Sequence, residues 1–197
     1  MSQSRIVITG TIASGKSTLS KLLRNYGYFV IDSDKVNSDL LKKGEKNYND
    51  ILKSKEFNDV FENGEINKKK LASIIFNDEE KRRILNNITH KNIIDKIDEI
   101  ISESDDKVIF IEIPLFFQLD LEIKYDYVWL VKAKRDVQIK RLIERDNIDL
   151  EYAQKKLEST SFAKYMQDNS DEIFDNSDDI DNLKTQLDIA LDKWSLK

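Results

Sequence analysis

Gly10 and Gly15 stand five residues apart, and Lys16 and Ser17 follow the second glycine directly. The apolar run Ile6-Val7-Ile8-Thr9 leads into this stretch, and a helical pattern begins near Ser17. The spacing is that of a P-loop, in which each position has its own task around a polyphosphate. The two glycines permit tight turns and close approach, so that backbone N–H groups from Gly10 through Thr11, Ile12, Ala13, Ser14 and Gly15 can point at phosphate oxygens. Lys16 offers a point charge to the β and γ phosphates, and the Ser17 hydroxyl can ligate the magnesium ion that bridges them. The helix entered through Ser17 and Thr18 aims its positive end at the same place. A glycine- and serine-containing turn could match by accident, but the strand before it and the helix after it are the confirming context.

Two further kinds of residue could take part in phosphoryl chemistry. Phe29-Val30-Ile31 reads as a strand that delivers Asp32-Ser33-Asp34 to the carboxyl edge of a sheet, where open α/β sheets bind ligands. Ser33 or Asp34 could simply cap the next helix. Alternatively, one carboxylate could accept a hydroxyl proton and hold magnesium through water, and Asp34, at the helix start, is the expected base. Lys107 to Glu112 is an apolar strand closed by an acid, either facing solvent or serving as a second carboxylate that organises magnesium. Arg141 and Arg145 fall four apart and share a helical face. That face is either solvated or part of a lid closing over the transferring phosphoryl group and the adenine, since guanidinium matches phosphate and stacks on aromatic planes. The single histidine, His90, lies on an apolar ridge and reads as a packing residue. Lys68-Lys69-Lys70 reads as a solvated helix start balanced by nearby acids.

Alternating strands and helices must position these groups. They predict an α/β fold of three layers, the P-loop kinase fold, with a five-stranded parallel sheet. Residues 1–34, 105–134 and 170–197 form the expected nucleotide-binding core, 35–104 a helical insertion, and 135–169 a helical lid. Val36 to Ser104 is expected to be mostly helical, with Leu40, Leu41, Ile51, Leu52, Phe57, Val60 and Phe61 as core candidates and one long ridge from Ile74 to Ile101. Asp149 to about Asn169 should continue the lid as helix, Glu172 onward should form the fifth strand, and Ile180 to Trp194 should close the chain as helix. Lys and Arg number 32 against 37 Asp and Glu, a net charge of -5, so nucleic acid is an unexpected partner. The absence of cysteine excludes disulfides and thiolate chemistry. No run approaches a membrane span, and a cytoplasmic monomer or weak homo-oligomer is expected.

The motifs together resemble the dephospho-coenzyme A kinase family over nearly the whole chain. The matching stretches are Thr9-Gly10 to Thr18, Ile31-Asp32-Ser33-Asp34, Gly64-Glu65-Ile66-Asn67 with Leu71, Ile75-Phe76 and Leu85, Ile88-Thr89-His90, and Ile113-Pro114-Leu115-Phe116-Phe117. Gln138 with Arg141-Leu142, Arg145-Asp146, and Asp175-Asn176-Ser177 complete the set. The resemblance implies ATP-dependent phosphorylation of the ribose 3′-hydroxyl of dephospho-coenzyme A, the last step of coenzyme A biosynthesis, with magnesium accompanying ATP. It implies Asp34 as base, Lys16 and Arg141 as catalytic cations, and Arg145 and Asn176 in the ATP site alongside the P-loop. Ser17 and Glu112 become the metal-facing residues, and the first insertion becomes the coenzyme-binding domain.

Several positions depart from the family pattern. Thr11 and Ala13 stand where further glycines are usual, Ser38 and Ile94 where arginines are, Lys91 for a proline, and Gln118 for an acid. Thr160 and Met166 replace a glutamine and a lysine in the second half of the lid. Another P-loop small-molecule or nucleotide kinase, or a degenerate relative that binds nucleotide without turnover, remains a competing reading. A GTP switch would need an Asp-x-x-Gly motif, which the five glycines do not supply.

Overall fold

The computed structural model describes residues 3–118, 122–158 and 163–196. The first apolar run forms β1 (Ser4–Gly10), whose Ile6, Val7 and Ile8 have no exposure, as expected for a strand covered on both faces. Helix α1 (Lys16–Asn25) buries Leu19, Leu22 and Leu23, and Gly27 follows it at φ 91°, the left-handed stop that glycine takes without strain. Strand β2 (Phe29–Asp32) runs straight into α2 (Ser33–Leu40). The cap of that helix is Asp32, which accepts from the Lys35 N–H at 3.0 Å, and not Ser33 or Asp34 as the sequence suggests. Ser33 and Asp34 are therefore already inside the first turn.

The next segment differs from its mostly helical expectation. After α3 (Lys46–Lys53) and a 3₁₀ segment (Lys55–Val60), β3 (Phe61–Glu62) and β4 (Glu65–Ile66) pair antiparallel. Asn63 and Gly64, at φ 51° and 77°, make the two-residue turn between them. A turn with both residues in the left-handed region matches the twist of a hairpin, and Asn-Gly is its strongest sequence signal. The expected single ridge is two helices, α4 (Lys68–Asn77) and α5 (Glu79–Ser102), because Asp78 turns its carboxylate onto the Lys81 N–H at 2.9 Å and starts a new helix. Then follow β5 (Val108–Glu112), β6 (Tyr127–Lys132), α6 (Arg135–Asp146), α7 (Leu150–Glu158), α8 (Ala163–Asp168), β7 (Glu172–Asp175) and α9 (Ile180–Lys193). The stretch expected as helix from Asp149 carries α7 and α8, and residues 159–162, Thr160 among them, lie outside the described residues. Met166, on α8, is buried.

The described residues fall into two compact units. The first draws on Met1–Ile31, Asp105–Asp120 and Lys124–Lys197, and contains a parallel five-stranded sheet in the order β2-β5-β1-β6-β7. The register sets Ile8 opposite Glu112 and Gly10 opposite Val131, so the ends of three strands arrive together where the P-loop begins. Leu19 and Leu23 of α1 and Leu183 and Leu187 of α9 pack with Ile6, Ile8, Phe110, Trp129 and Phe174. Trp129 stands between Phe110 and Phe174, with ring centroids 5.0 and 5.1 Å away, inside the offset range that aromatic pairs favour.

The second unit draws on Asp32–Ser104 and Leu121–Ile123. Ile51, Phe57, Val60, Leu71 and Leu85 form its core, whereas Leu52 is 50% exposed and leaves the list of expected core residues. Asn47 has no exposure at all. It donates to Asn37 Oδ1 at 3.0 Å and accepts from Asn92 Nδ2 at 2.9 Å, which satisfies an amide that would otherwise be costly to bury.

Candidate active site

The cradle begins where β1 ends. A Cβ on Gly10 would stand 2.2 Å from the Val131 carbonyl oxygen of β6, so this glycine is required by close strand approach. Gly15 is required for two other reasons: its φ is 94°, and a Cβ there would sit 1.8 Å from Asn176 Nδ2. Between them, Ser14 N–H donates across the loop to the Thr11 carbonyl at 3.2 Å. Ala13 takes φ 55°, a left-handed value that a glycine at this position would adopt freely and that costs a side-chain-bearing residue about 1 kcal/mol or more. Lys16 Nζ folds back over the loop and donates to the carbonyls of Gly10 at 3.0 Å and Thr11 at 3.1 Å, which holds the ammonium at the cradle. Ser17 is exposed at the start of α1, and Thr18 N–H closes the first turn onto the Gly15 carbonyl at 3.0 Å. The Ser14 hydroxyl is fully buried and has no hydrogen-bond partner among the described residues.

The outer wall of the loop is held by side chains that the sequence separates widely from it. Arg141, on α6, donates to the carbonyls of Ser14 at 3.3 Å and Ala13 at 3.5 Å, and to the Asn176 carbonyl at 2.9 Å. Asn176, buried just past β7, donates to the Ser14 carbonyl at 2.9 Å. Gln138, one turn before Arg141, is buried and donates to the Thr11 hydroxyl and to the Ile12 carbonyl, both at 2.7 Å. The side chains of Ile12 and Ala13 pack against Leu142, Ala153 and Leu157, so the loop also shares the apolar cluster of α6 and α7. Sequence reading named Arg141 and Asn176 as site residues and gave Gln138 no role; the structure brings all three to the loop, and Gln138's place on the Arg141 face, three residues earlier, was the available signal. Arg145 is not directed at the loop by these bonds. It holds Asp146 in a fork at 2.7 and 3.1 Å, and Lys156 of α7 joins the same carboxylate at 2.9 Å. Those two cations press the Asp146 carboxyl far below the usual carboxylate range, Arg145 having the larger effect.

Of the acids, Glu112 closes β5 at 8% exposure, in register with Ile8 of β1. Asp34 lies exposed in the first turn of α2, where a negative charge suits the positive end of the helix. His90, half-buried on α5, has its imidazole pushed toward the neutral form by burial, as fits a packing role. Lys68 donates to Ser38 Oγ at 2.8 Å, and Lys70 faces Glu62 at 3.8 Å.

A family model described as dephospho-CoA kinase matches residues 4–182. The chain belongs to the dephospho-CoA kinase family. A dephospho-CoA kinase of Carboxydothermus hydrogenoformans is 33% identical over 196 residues, covering 98% of this chain and 95% of the relative. Among solved structures, a Thermus thermophilus protein superposes with a TM-score of 0.84 at 25% identity, covering 98% of each chain. The dephospho-CoA kinase of Campylobacter jejuni gives 0.67 at 26% identity, covering 97% of this chain and 96% of its own. Dephospho-CoA kinases are phosphotransferases, and the P-loop and parallel sheet described above are those of an ATP-using kinase. No helix among the described residues is long and apolar enough to cross a membrane.

Proposed function

We propose that the protein transfers the γ-phosphoryl group of ATP to the ribose 3′-hydroxyl of dephospho-coenzyme A, the last step in making coenzyme A. The observation that carries this reading is the family match across 4–182, which includes an intact Gly10-to-Ser17 cradle. Backbone amides of the loop hold the β and γ phosphates, and the Lys16 ammonium neutralises the charge that builds on them during transfer. The Asp34 carboxylate takes the proton of the 3′-hydroxyl as its oxygen forms the new bond to the γ-phosphorus. The bond from that phosphorus to the β–γ bridging oxygen breaks, and ADP leaves with the electron pair.

The donor set fits magnesium, because Ser17 and Glu112 offer only hard oxygen ligands, and the buried Ser14 hydroxyl, without a hydrogen-bond partner among the described residues, adds a polar group at the loop. Ser17 and Glu112 are the residues that would hold the ion, directly or through water. Bound with ATP, the ion would neutralise charge on the phosphates. Arg141 and Asn176 support the loop from behind, and Arg145 serves the adenine side. The helical region 35–104 takes the coenzyme, and 135–169 acts as the lid.

The test is a coupled ADP-release assay of the purified chain with ATP and magnesium. Dephospho-coenzyme A should be turned over with a higher kcat/KM than adenosine, nucleoside monophosphates or pantothenate-type acceptors. Faster turnover of one of those acceptors would reassign the substrate, and ATP binding with no turnover of any acceptor would mark a degenerate relative.

A further inference from the structure

We propose that Gln138 is a positioning residue for phosphoryl transfer, the strut through which α6 fixes the shape of the phosphate cradle. Thr11, where the family usually has glycine, supplies one of its two anchor points. The proposal rests on the ATP-kinase reading and adds to it a residue that touches neither substrate.

The geometry runs through the peptide groups. In a trans peptide the N–H and C=O point in opposite directions, so a carbonyl tied outward turns the following N–H inward. Gln138 ties the Ile12 carbonyl, while Arg141 and Asn176 tie those of Ala13 and Ser14. The amides turned inward are then those of Ala13, Ser14 and Gly15. Ser14 N–H donates across the loop to the Thr11 carbonyl at 3.2 Å, a bond within the loop that a bound phosphate would have to replace. Successive inward amides are what an anion-binding nest consists of, and holding them before the ligand arrives removes a reorganisation cost. Gln138 is suited to this work because it is 7% exposed and both hydrogens of its amide nitrogen are committed, at 2.7 Å each.

Thr11 matters for a different reason. Its hydroxyl takes one of the two Gln138 hydrogen bonds, which a glycine could not do. Its φ is not among the positive values, so the replacement carries no left-handed strain, unlike that at Ala13. The departure from the family pattern at this position therefore adds a bond between the loop and α6.

The experiment compares Gln138→Leu with wild type in steady-state kinetics, direct ATP binding by calorimetry and thermal denaturation. The variant keeps side-chain bulk and removes both donors. ATP Kd and KM should rise about tenfold, the scale of losing two hydrogen bonds, while the KM for dephospho-coenzyme A stays within about twofold. A folded Gln138→Leu that melts earlier but binds ATP and turns over like wild type would show that Gln138 only packs, and would overturn the proposal. Should that variant fail to fold, Thr11→Val and Thr11→Ser decide. A raised ATP KM in Thr11→Val that Thr11→Ser restores supports the strut, and equal values in both overturn it. A wild-type chain that binds no ATP at all would instead defeat the functional reading beneath it.

Discussion

Asp32 and Asp34 are two residues apart, yet their surroundings give them different work. Asp32 spends its carboxylate on the Lys35 N–H and so fixes where α2 starts. Asp34 is relieved of that duty and stands exposed in the first turn. Asp34→Asn should leave the melting temperature nearly unchanged and lower kcat by about 10²-fold or more, the scale of a lost positioned base. Asp32→Ala should do the reverse, lowering stability by about 1 kcal/mol through the lost cap while sparing kcat. Steady-state kinetics and thermal denaturation on the pair separate the two roles. An unchanged kcat in Asp34→Asn would remove Asp34 from the chemistry. The glycines show how far single residues can be read from sequence. Their presence was legible, but the reason for each depends on Val131 and Asn176, which come to them through the sheet and are far away in the chain.

At the scale of elements, local signals were readable and long-range partners were not. The strand that enters the P-loop, the stop at Gly27 and the paired arginines all follow from short periodicities. The β3–β4 hairpin had an equally local signal in Asn63-Gly64, and the Asp78 cap announced the break between α4 and α5; charge density across 35–104 masked both. What Arg141 and Gln138 hold could not be foreseen, because α6 and the loop are joined only after β6 has threaded beside β1. The α6–α7 pair carries its own prediction. Asp146, held by Arg145 and Lys156, has its carboxyl depressed on folding, so its contribution to stability is present above the unfolded value of about 3.9 and is lost as pH falls below it. Asp146→Asn should therefore melt earlier than wild type at neutral pH, and the gap should begin to narrow below about pH 4 and go on narrowing as pH falls further. A gap that stays constant down to pH 3 would mean the ion cluster contributes nothing that titrates.

At the scale of the whole molecule, each unit has a core of its own, one built on the sheet and one on the helices α3 to α5. The helical core depends on the Asn37–Asn47–Asn92 chain of amides, so Asn47→Leu, which leaves Asn92 and Asn37 without that partner, should weaken it by about 1–3 kcal/mol. The two tryptophans of the chain, Trp129 and Trp194, both belong to the sheet unit, and Trp129 is sealed between two phenylalanines. Their emission is therefore a colour-coded thermometer for one half of the chain and is blind to the other, whereas far-UV dichroism sums over both. In Asn47→Leu the dichroism curve should drop at a lower temperature than the fluorescence curve, and coincident curves would mean that the halves come apart as one.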